Sequence, residues 1–237
     1  MTSVFAISLL GFVLGMRHAT DPDHVIAVST IVSKQRGVGK AGLIGVIWGL
    51  GHTFTIFVVG AAIILFKVAI PTRLGLAMEM SVGLMLILLG ILNLTGTMKK
   101  VMAGFLPDSN ASVLNGSASP ATLSMGLFHF LRPLAIGIVH GLAGSAAVAL
   151  LVMTTIRDPW AEIGYLLIFG FGTVVGMMLI TAAIALPFVY TAANFSGWNR
   201  GMAVASGLLS ISFGIVVSYQ IGIVGGLFTA HPHWTPQ

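Results

Sequence analysis

The chain has 237 residues, of which 57% are hydrophobic and only 7% are Asp, Glu, Lys or Arg, and its mean hydropathy is +1.02. Because an average soluble domain carries about 25% charged residues, this composition excludes an ordinary soluble enzyme and a disordered chain, and it predicts a protein embedded in the lipid bilayer. The net charge of +5 comes from basic residues between apolar runs, which is typical of membrane topology signals and not of a nucleic-acid interface.

Six apolar stretches are long enough to cross the membrane as helices, since a hydrocarbon core requires roughly 20 residues. In chain order they cover residues 4–32, 41–66, 75–97, 126–156, 161–188 and 201–225. No alternating pattern typical of outer-membrane strands is present, so we predict an all-α polytopic membrane protein with six transmembrane helices. Most Lys and Arg residues lie near the loops after the first, third and fifth stretches, which places both termini outside the cytoplasmic membrane.

The first stretch contains a charged segment, because residues 17–24 read RHATDPDH between apolar neighbours. Pro22 lacks the N–H that would bond to the carbonyl of His18, so we predict that the first helix is broken at Pro22 and that this carbonyl is free to bind a cation. Each charge at the centre of a membrane helix costs about 2.5–3.5 kcal/mol. Five ionisable side chains in eight residues therefore indicate a function.

The same segment provides candidate metal ligands. On a continuous helix His18, Asp21 and His24 share one face, and Asp23 joins them only if the helix unwinds, so both carboxylates are candidates. Imidazole and carboxylate groups, in a chain without cysteine, suit Ni²⁺, Co²⁺, Zn²⁺ or Cu²⁺. Arg17 would repel a cation, so we expect it to orient a carboxylate. A buried ion-pair network is the structural alternative, but it leaves the two histidines unexplained.

The second stretch adds His52, which lies at a depth similar to that of the charged segment. The neighbouring residues Gly45, Gly49 and Gly51 permit close helix packing, so we expect His52 to reach the first span and bind the same ion. Thr53 is a weaker candidate for polar lining of the pathway.

The two halves of the chain resemble each other. Residues 15–18 (GMRH) match 137–140 (GIVH), residues 49–51 match 170–172, and residues 81–91 match 205–215, at offsets of 121 to 124 residues. Three spans per half give the halves opposite orientations, and inverted repeats are typical of secondary transporters. The predicted units are a first repeat at 1–97, a flexible cytoplasmic linker at 98–124, a second repeat at 125–228 and a C-terminal tail at 229–237.

The second repeat contains two weaker candidates. His140 is the repeat counterpart of His18 and, with nearby Ser145, is a candidate pathway residue. In the tail, His231 and His233 would lie outside the membrane, where they either capture metal or belong to a loose chain end.

Two segments of the chain resemble motifs of a known family. The segment RHATDPDHV at 17–25 resembles the H-x4-D-H signature of the nickel/cobalt transporter (NiCoT) family, and Gly51-His52-Thr53 resembles its second motif. The likeness is to short six-span members, which are often associated with urease accessory genes. It implies uptake of Ni²⁺, or in some members Co²⁺, with His18, Asp23 and His24 essential and His52 contributing to specificity. The metal is then a transported substrate, and no cofactor is expected.

Two alternatives accompany this hypothesis. One is export of a divalent transition metal by the same fold, and the other is a membrane-embedded metal-dependent enzyme or metal sensor. The chain has no H-E-x-x-H motif and no Glu beside a candidate ligand, so we predict no catalytic residues and no enzyme activity. The family's acidic residues in the fourth and fifth spans are missing here, which leaves the choice between nickel and cobalt open. The oligomeric state and any partner subunit are also open.

Overall fold

A computed structural model describes residues 2–35, 37–66, 70–96, 130–143, 158–229 and 231–234. These residues form seven α-helices and no strand: α1 Thr2–His18, α2 Pro22–Val32, α3 Val38–Phe66, α4 Thr72–Thr95, α5 Phe130–Ala143, α6 Pro159–Asn194 and α7 Ser196–Tyr219. Helix α7 continues as a π-helix over Gln220–Val224. Within this part of the chain α3, α4, α6 and the extended α7 are long and apolar enough to cross a membrane. The described residues are therefore helical, and their helices are compatible with a polytopic membrane protein.

The predicted break in the first stretch is confirmed, because α1 ends at His18 and α2 begins at Pro22. Asp21 precedes α2 in an extended conformation, and proline is favoured at the first position of a helix because its missing N–H is not needed there. Asp23 lies in the first turn, where a negative charge is favourable. The prediction of a free carbonyl at His18 is wrong, since that carbonyl accepts the N–H of Asp21 at 3.1 Å.

The fourth predicted stretch is represented by α5 alone. Helix α5 covers residues 130–143 of the predicted 126–156. Ser145 and the predicted linker at 98–124 lie outside the described residues.

Small residues bring helices of the two halves into backbone contact. Gly15 of α1 lies against the carbonyl of Phe169 in α6, and Gly137 of α5 lies against the carbonyl of Trp48 in α3, so closely that a Cβ atom would overlap each carbonyl. Gly15 and Gly137 are 122 residues apart, and Trp48 and Phe169 are 121 apart. The two contacts are therefore equivalent under the repeat, because each places a glycine of one half against a carbonyl of the other half.

The same exchange relates further contacts. Gly51 of α3 lies against Leu134 of α5, and its counterpart Gly172 of α6 lies against Phe12 of α1. The glycines of α3 were expected to bring it against the first span. Instead they pack on α5 and α6, and α3 reaches the first span through the side chain of His52.

Helices α4 and α7 form a separate pair. A Cβ atom on Gly83 would lie 3.2 Å from the carbonyl oxygen of Gly214, and one on Gly90 would lie 2.6 Å from that of Gly207. These four glycines thus pack between the two halves of the chain. Helix α2 contacts α4, α6 and α7, so it lies between this pair and the group formed by α1, α3, α5 and α6.

Candidate metal centre

Four histidines from four helices meet in the interior. We call them the histidine cluster: His18 at the end of α1, His24 on α2, His52 on α3 and His140 on α5. His24, His52 and His140 are at most 2% exposed. The ring centres of His24 lie 4.8 Å from His18, 4.9 Å from His52 and 4.2 Å from His140. The structure thus brings together all the histidines that the sequence nominated within the membrane.

Three of these imidazoles form a possible metal-binding set. The Nε2 atoms of His18 and His52 are 3.0 Å apart. Nε2 of His24 is buried and has no hydrogen-bond partner among the residues that the structure describes. One ligand nitrogen from each of the three histidines lies within 4.8 Å of the others. Three nitrogen donors therefore converge on one small volume.

Two carboxylates hold these rings in place. Asp21 Oδ2 lies 2.7 Å from Nδ1 of His18, and Asp23 Oδ1 lies 3.0 Å from Nδ1 of His24. Asp23 Oδ1 also accepts the backbone N–H of His24 at 2.9 Å. With the ring proton on Nδ1, a tautomer inferred from these partners, Nε2 of both histidines carries the free lone pair that a metal requires.

The second oxygen of Asp23 contacts the fourth histidine. Asp23 Oδ2 lies 2.8 Å from Nε2 of His140, and the side chains of Asp23, His24 and His140 form a second group with metal-ligand spacing. On a continuous helix Asp23 would point away from His24. The break before Pro22 lets the carboxylate turn back to its own neighbour and reach α5.

Apolar rings surround the cluster. The fully buried indole of Trp48 has its centre 5.5 Å from that of His24 and 5.6 Å from that of His140, and Phe169 lies 5.6 Å from His18. These rings exclude water and strengthen electrostatic interactions within the site. The sequence analysis missed Trp48, although its position four residues before His52 places both on one helix face.

A cavity of about 720 Å³ extends to the cluster. It is lined by Asp21 and Asp23, by His18, His24 and His140, and by residues of α4 and α7. His233 and Trp234 of the tail complete the lining. The indole N–H of Trp234 donates to Oε1 of Glu79 on α4 at 2.8 Å, which holds the tail beside the cavity.

Of the remaining predicted site residues, Arg17 and Thr53 are described by the structure and have other surroundings. The side chain of Arg17 is exposed, and the carboxylates that it was expected to orient are met by histidines. The hydroxyl of Thr53 donates to the carbonyl of Gly170 in α6 at 3.1 Å. Ser145 falls outside the part of the chain that the structure describes.

A second polar region lies at the other end of α2. The Ser33 hydroxyl donates to the carbonyl of Thr30 at 2.9 Å and lies 3.2 Å from Oδ1 of Asn93 in α4. The Asn93 amide donates to the carbonyl of Ala203 in α7 at 2.8 Å, and the hydroxyls of Thr30 and Ser206 are 3.4 Å apart. We call these residues the hydroxyl seam.

Comparison with known proteins gives two relatives. The chain is 39% identical over 225 residues to the urease accessory protein UreH of Bacillus sp. (strain TB-90), covering 95% of this chain and 96% of that protein. It is 26% identical over 218 residues to the Chloroplast protein FOR GROWTH AND FERTILITY 2 of Arabidopsis thaliana, covering 91% of this chain but 57% of that protein. No protein-family model and no solved structure matches the chain.

Proposed function

Because the chain belongs to the family of the urease accessory protein UreH, we propose that it is a secondary transporter that takes up Ni²⁺ across the cytoplasmic membrane, with Co²⁺ as an alternative cargo. The name of this relative describes an accessory protein, in agreement with the prediction that the chain is not an enzyme. The urease connection also agrees with the resemblance of RHATDPDHV to the NiCoT signature, whose short members are associated with urease accessory genes.

The observation that carries the proposal is the unpartnered Nε2 atom of His24 beside the close pair of His18 and His52 nitrogens. A buried polar atom without a partner is rare and costs stability, so its presence calls for an explanation. A metal ion bound between the three rings would satisfy this nitrogen. It would also replace the direct contact between His18 and His52 with two coordinate bonds.

The chemistry of the donors is compatible with Ni²⁺. The Nε2 atoms of His18 and His52 are 3.0 Å apart, which is a hydrogen-bond distance and leaves both nitrogens within reach of one ion. Imidazole nitrogens suit Ni²⁺, Cu²⁺ and Zn²⁺ alike, so the choice of Ni²⁺ rests on the urease relative.

The carboxylates complete the site in different ways. Asp23 fixes the ring of His24, and Asp21, whose side chain is 46% exposed, faces the cavity where a hydrated ion would arrive. Their negative charges offset the charge of the ion as it loses water. At the set formed by His18, His24 and His52 we therefore assign direct binding to the three histidines, whose rings the two carboxylates position.

The paired glycine contacts support an inverted-repeat architecture with six spans. In this proposal the repeats occupy residues 1–97 and 125–228, the linker 98–124 is cytoplasmic, and the tail 229–237 lies outside with the N-terminus. The cavity extends to the start of α4 and the end of α7, and both would then face outward. Access from outside favours uptake over export.

Uptake of ⁶³Ni²⁺ into proteoliposomes tests the proposal. The wild-type protein is expected to accumulate nickel, and His24→Ala is expected to reduce uptake to that of protein-free vesicles. The matched control is His231→Ala, because His231 is exposed on the tail and is expected to leave uptake unchanged. Absence of uptake by the wild-type protein, or full uptake by His24→Ala, would refute the proposal.

The membrane potential is the proposed driving force. Inward movement of one divalent ion gains about 4.6 kcal/mol at 100 mV, twice the value for a single charge. Imposing an inside-negative potassium diffusion potential is expected to stimulate uptake. Cells lacking the protein should accumulate less nickel, and greater accumulation would instead identify an exporter.

A further inference from the structure

We propose that the cluster contains two metal stations that share His24, and that the ion moves from one to the other during transport. The three-histidine station consists of His18, His24 and His52, and the carboxylate station consists of Asp23, His24 and His140. This inference rests on the proposed function, since it concerns the route of the same ion. It gives His140 the role of a metal ligand.

The geometry of His24 is the first argument for two stations. Its Nδ1 atom lies 3.0 Å from Asp23 Oδ1, on the side of the carboxylate station. Its Nε2 atom has no such partner within the described residues, and the ring lies edge-on to His18 and His52. Because the two nitrogens of an imidazole point in different directions, one ring faces two separate ligand sets.

The surroundings of His140 are the second argument. This side chain is 1% exposed, its Nε2 atom lies 2.8 Å from Asp23 Oδ2, and its Nδ1 atom lacks a partner in the described part of the chain. A histidine needed only to anchor Asp23 would be expected to have both nitrogens satisfied. An ion beside Asp23 can instead bind the unpartnered Nδ1 atom, or it can replace the contact between Nε2 and Asp23 Oδ2.

The cavity reaches both stations unequally. It is lined by Asp23, His24 and His140 and also by His18, whereas His52 is fully buried and does not line it. An ion in the cavity therefore has access to every ligand of the carboxylate station, but it must reach the buried His52 to complete the three-histidine station. The neutral ring of His24 carries its proton on Nε2 when the ion is on Nδ1 and on Nδ1 when the ion is on Nε2, so the two states hold the same number of protons.

Two stations predict an unusual pattern in the variants. If an ion distributes between two sites of similar affinity, removing either one lowers the total affinity only about twofold. His52→Ala and His140→Ala should therefore each bind Ni²⁺ within about threefold of wild type. The double variant should bind at least about 100-fold more weakly. Each single variant should lose uptake, because transfer needs both stations.

The experiment combines nickel titration calorimetry of the purified full-length protein with ⁶³Ni²⁺ uptake into proteoliposomes. His140→Gln is the decisive variant, since its amide N–H can still donate to Asp23, while the imidazole nitrogens that suit Ni²⁺ are replaced by a harder amide oxygen. Loss of uptake by His140→Gln with binding retained supports two stations. Wild-type uptake by His140→Gln overturns the inference and leaves His140 as an anchor of Asp23.

Further outcomes separate this inference from the proposed function. Loss of all binding in His52→Ala alone overturns the two stations, because the carboxylate station should remain. The two stations are also overturned if the loss of binding free energy in the double variant equals the sum of the losses in the two single variants. Failure of the wild-type protein to bind or transport nickel instead refutes the proposed function. Circular dichroism and gel filtration identify variants that have not folded, and His231→Ala is the control in every assay.

Discussion

The two ends of α2 bury polar groups in different ways. At its start, the histidine cluster leaves one ring nitrogen unpartnered on each of His24, His52 and His140 among the described residues. At its end, the hydroxyl seam pairs its groups, since Thr30, Ser33 and Asn93 all make hydrogen bonds. Both regions are buried and polar, so these properties alone do not identify a site. The grouping of three unpartnered imidazole nitrogens on neighbouring rings distinguishes the cluster, because the unpartnered hydroxyls of Thr181 and Ser218, also among the described residues, are single oxygens.

The largest expected effect concerns Asp23→Asn at the histidine cluster. The neutral amide cannot hold both His24 and His140 as hydrogen-bond donors, because it offers one oxygen where the carboxylate offers two. Loss of such a supporting group typically costs about 10- to 100-fold in metal affinity. Titration calorimetry with Ni²⁺ measures the change.

Asp21→Asn is the matched control for Asp23→Asn. Asp21 contacts one histidine and is partly exposed, so its replacement should cost less affinity. An equal or larger loss for Asp21→Asn would contradict the central position that we give to Asp23.

A smaller effect is expected from Asn93→Ala in the hydroxyl seam. The substitution removes the hydrogen bonds to Ser33 and to the carbonyl of Ala203. Hydrogen bonds between membrane helices contribute about 0.6 kcal/mol on average and at most about 1.7 kcal/mol. The free energy of unfolding in detergent should fall by about 0.6 to 1.7 kcal/mol. The nickel affinity should stay unchanged.

Asn194→Ala is the control for the seam, because the exposed Asn194 amide bonds only to the carbonyl of Tyr190 in its own helix. Its unfolding free energy should equal that of wild type. A drop in nickel affinity for Asn93→Ala would contradict the claim that only the start of α2 contributes to metal binding.

Trp234→Phe beside the cavity is expected to change the rate of uptake alone. The change keeps an aromatic ring next to Gly75 but removes the hydrogen bond to Glu79. One such bond contributes about 0.5–1.5 kcal/mol, which limits any change in the initial rate of uptake to about tenfold. Nickel affinity should stay at the wild-type value, and Trp198→Phe, at an exposed indole, serves as the control. A weakened Kd would show that the tail contacts the bound ion.

The helix break at Pro22 was predicted from proline chemistry, and the structure confirms it. The spacing of residues 17–24 nominated His18, Asp21, Asp23 and His24, whose side chains the structure places close together. His52 was nominated by its depth and by glycines expected to face the first span. The contact of His52 with His18 is present, but those glycines pack on α5 and α6. The break was accessible because it depends on neighbours along the chain.

The contacts of the site between residues far apart in the chain could not be predicted from the sequence. The contact between Asp23 and His140 joins residues 117 apart, and periodicity does not reveal which helix faces the break. The same holds for Trp48, whose apolar ring is ordinary in a membrane helix until the structure places it against two histidines. The free carbonyl of His18 was wrongly predicted because the turn before Pro22 lets the N–H of Asp21 replace the lost donor.

The glycine contacts between the halves have a consequence for how the protein is made. Helices α1, α3 and α4 all find their main packing partners in α5, α6 and α7. When the ribosome has inserted only the first half, these small-residue faces lack their main partners, and Asp23 lacks His140. Assembly of the complete histidine cluster therefore waits until α5 has been synthesised, and a nascent chain stalled before residue 130 lacks the fourth imidazole.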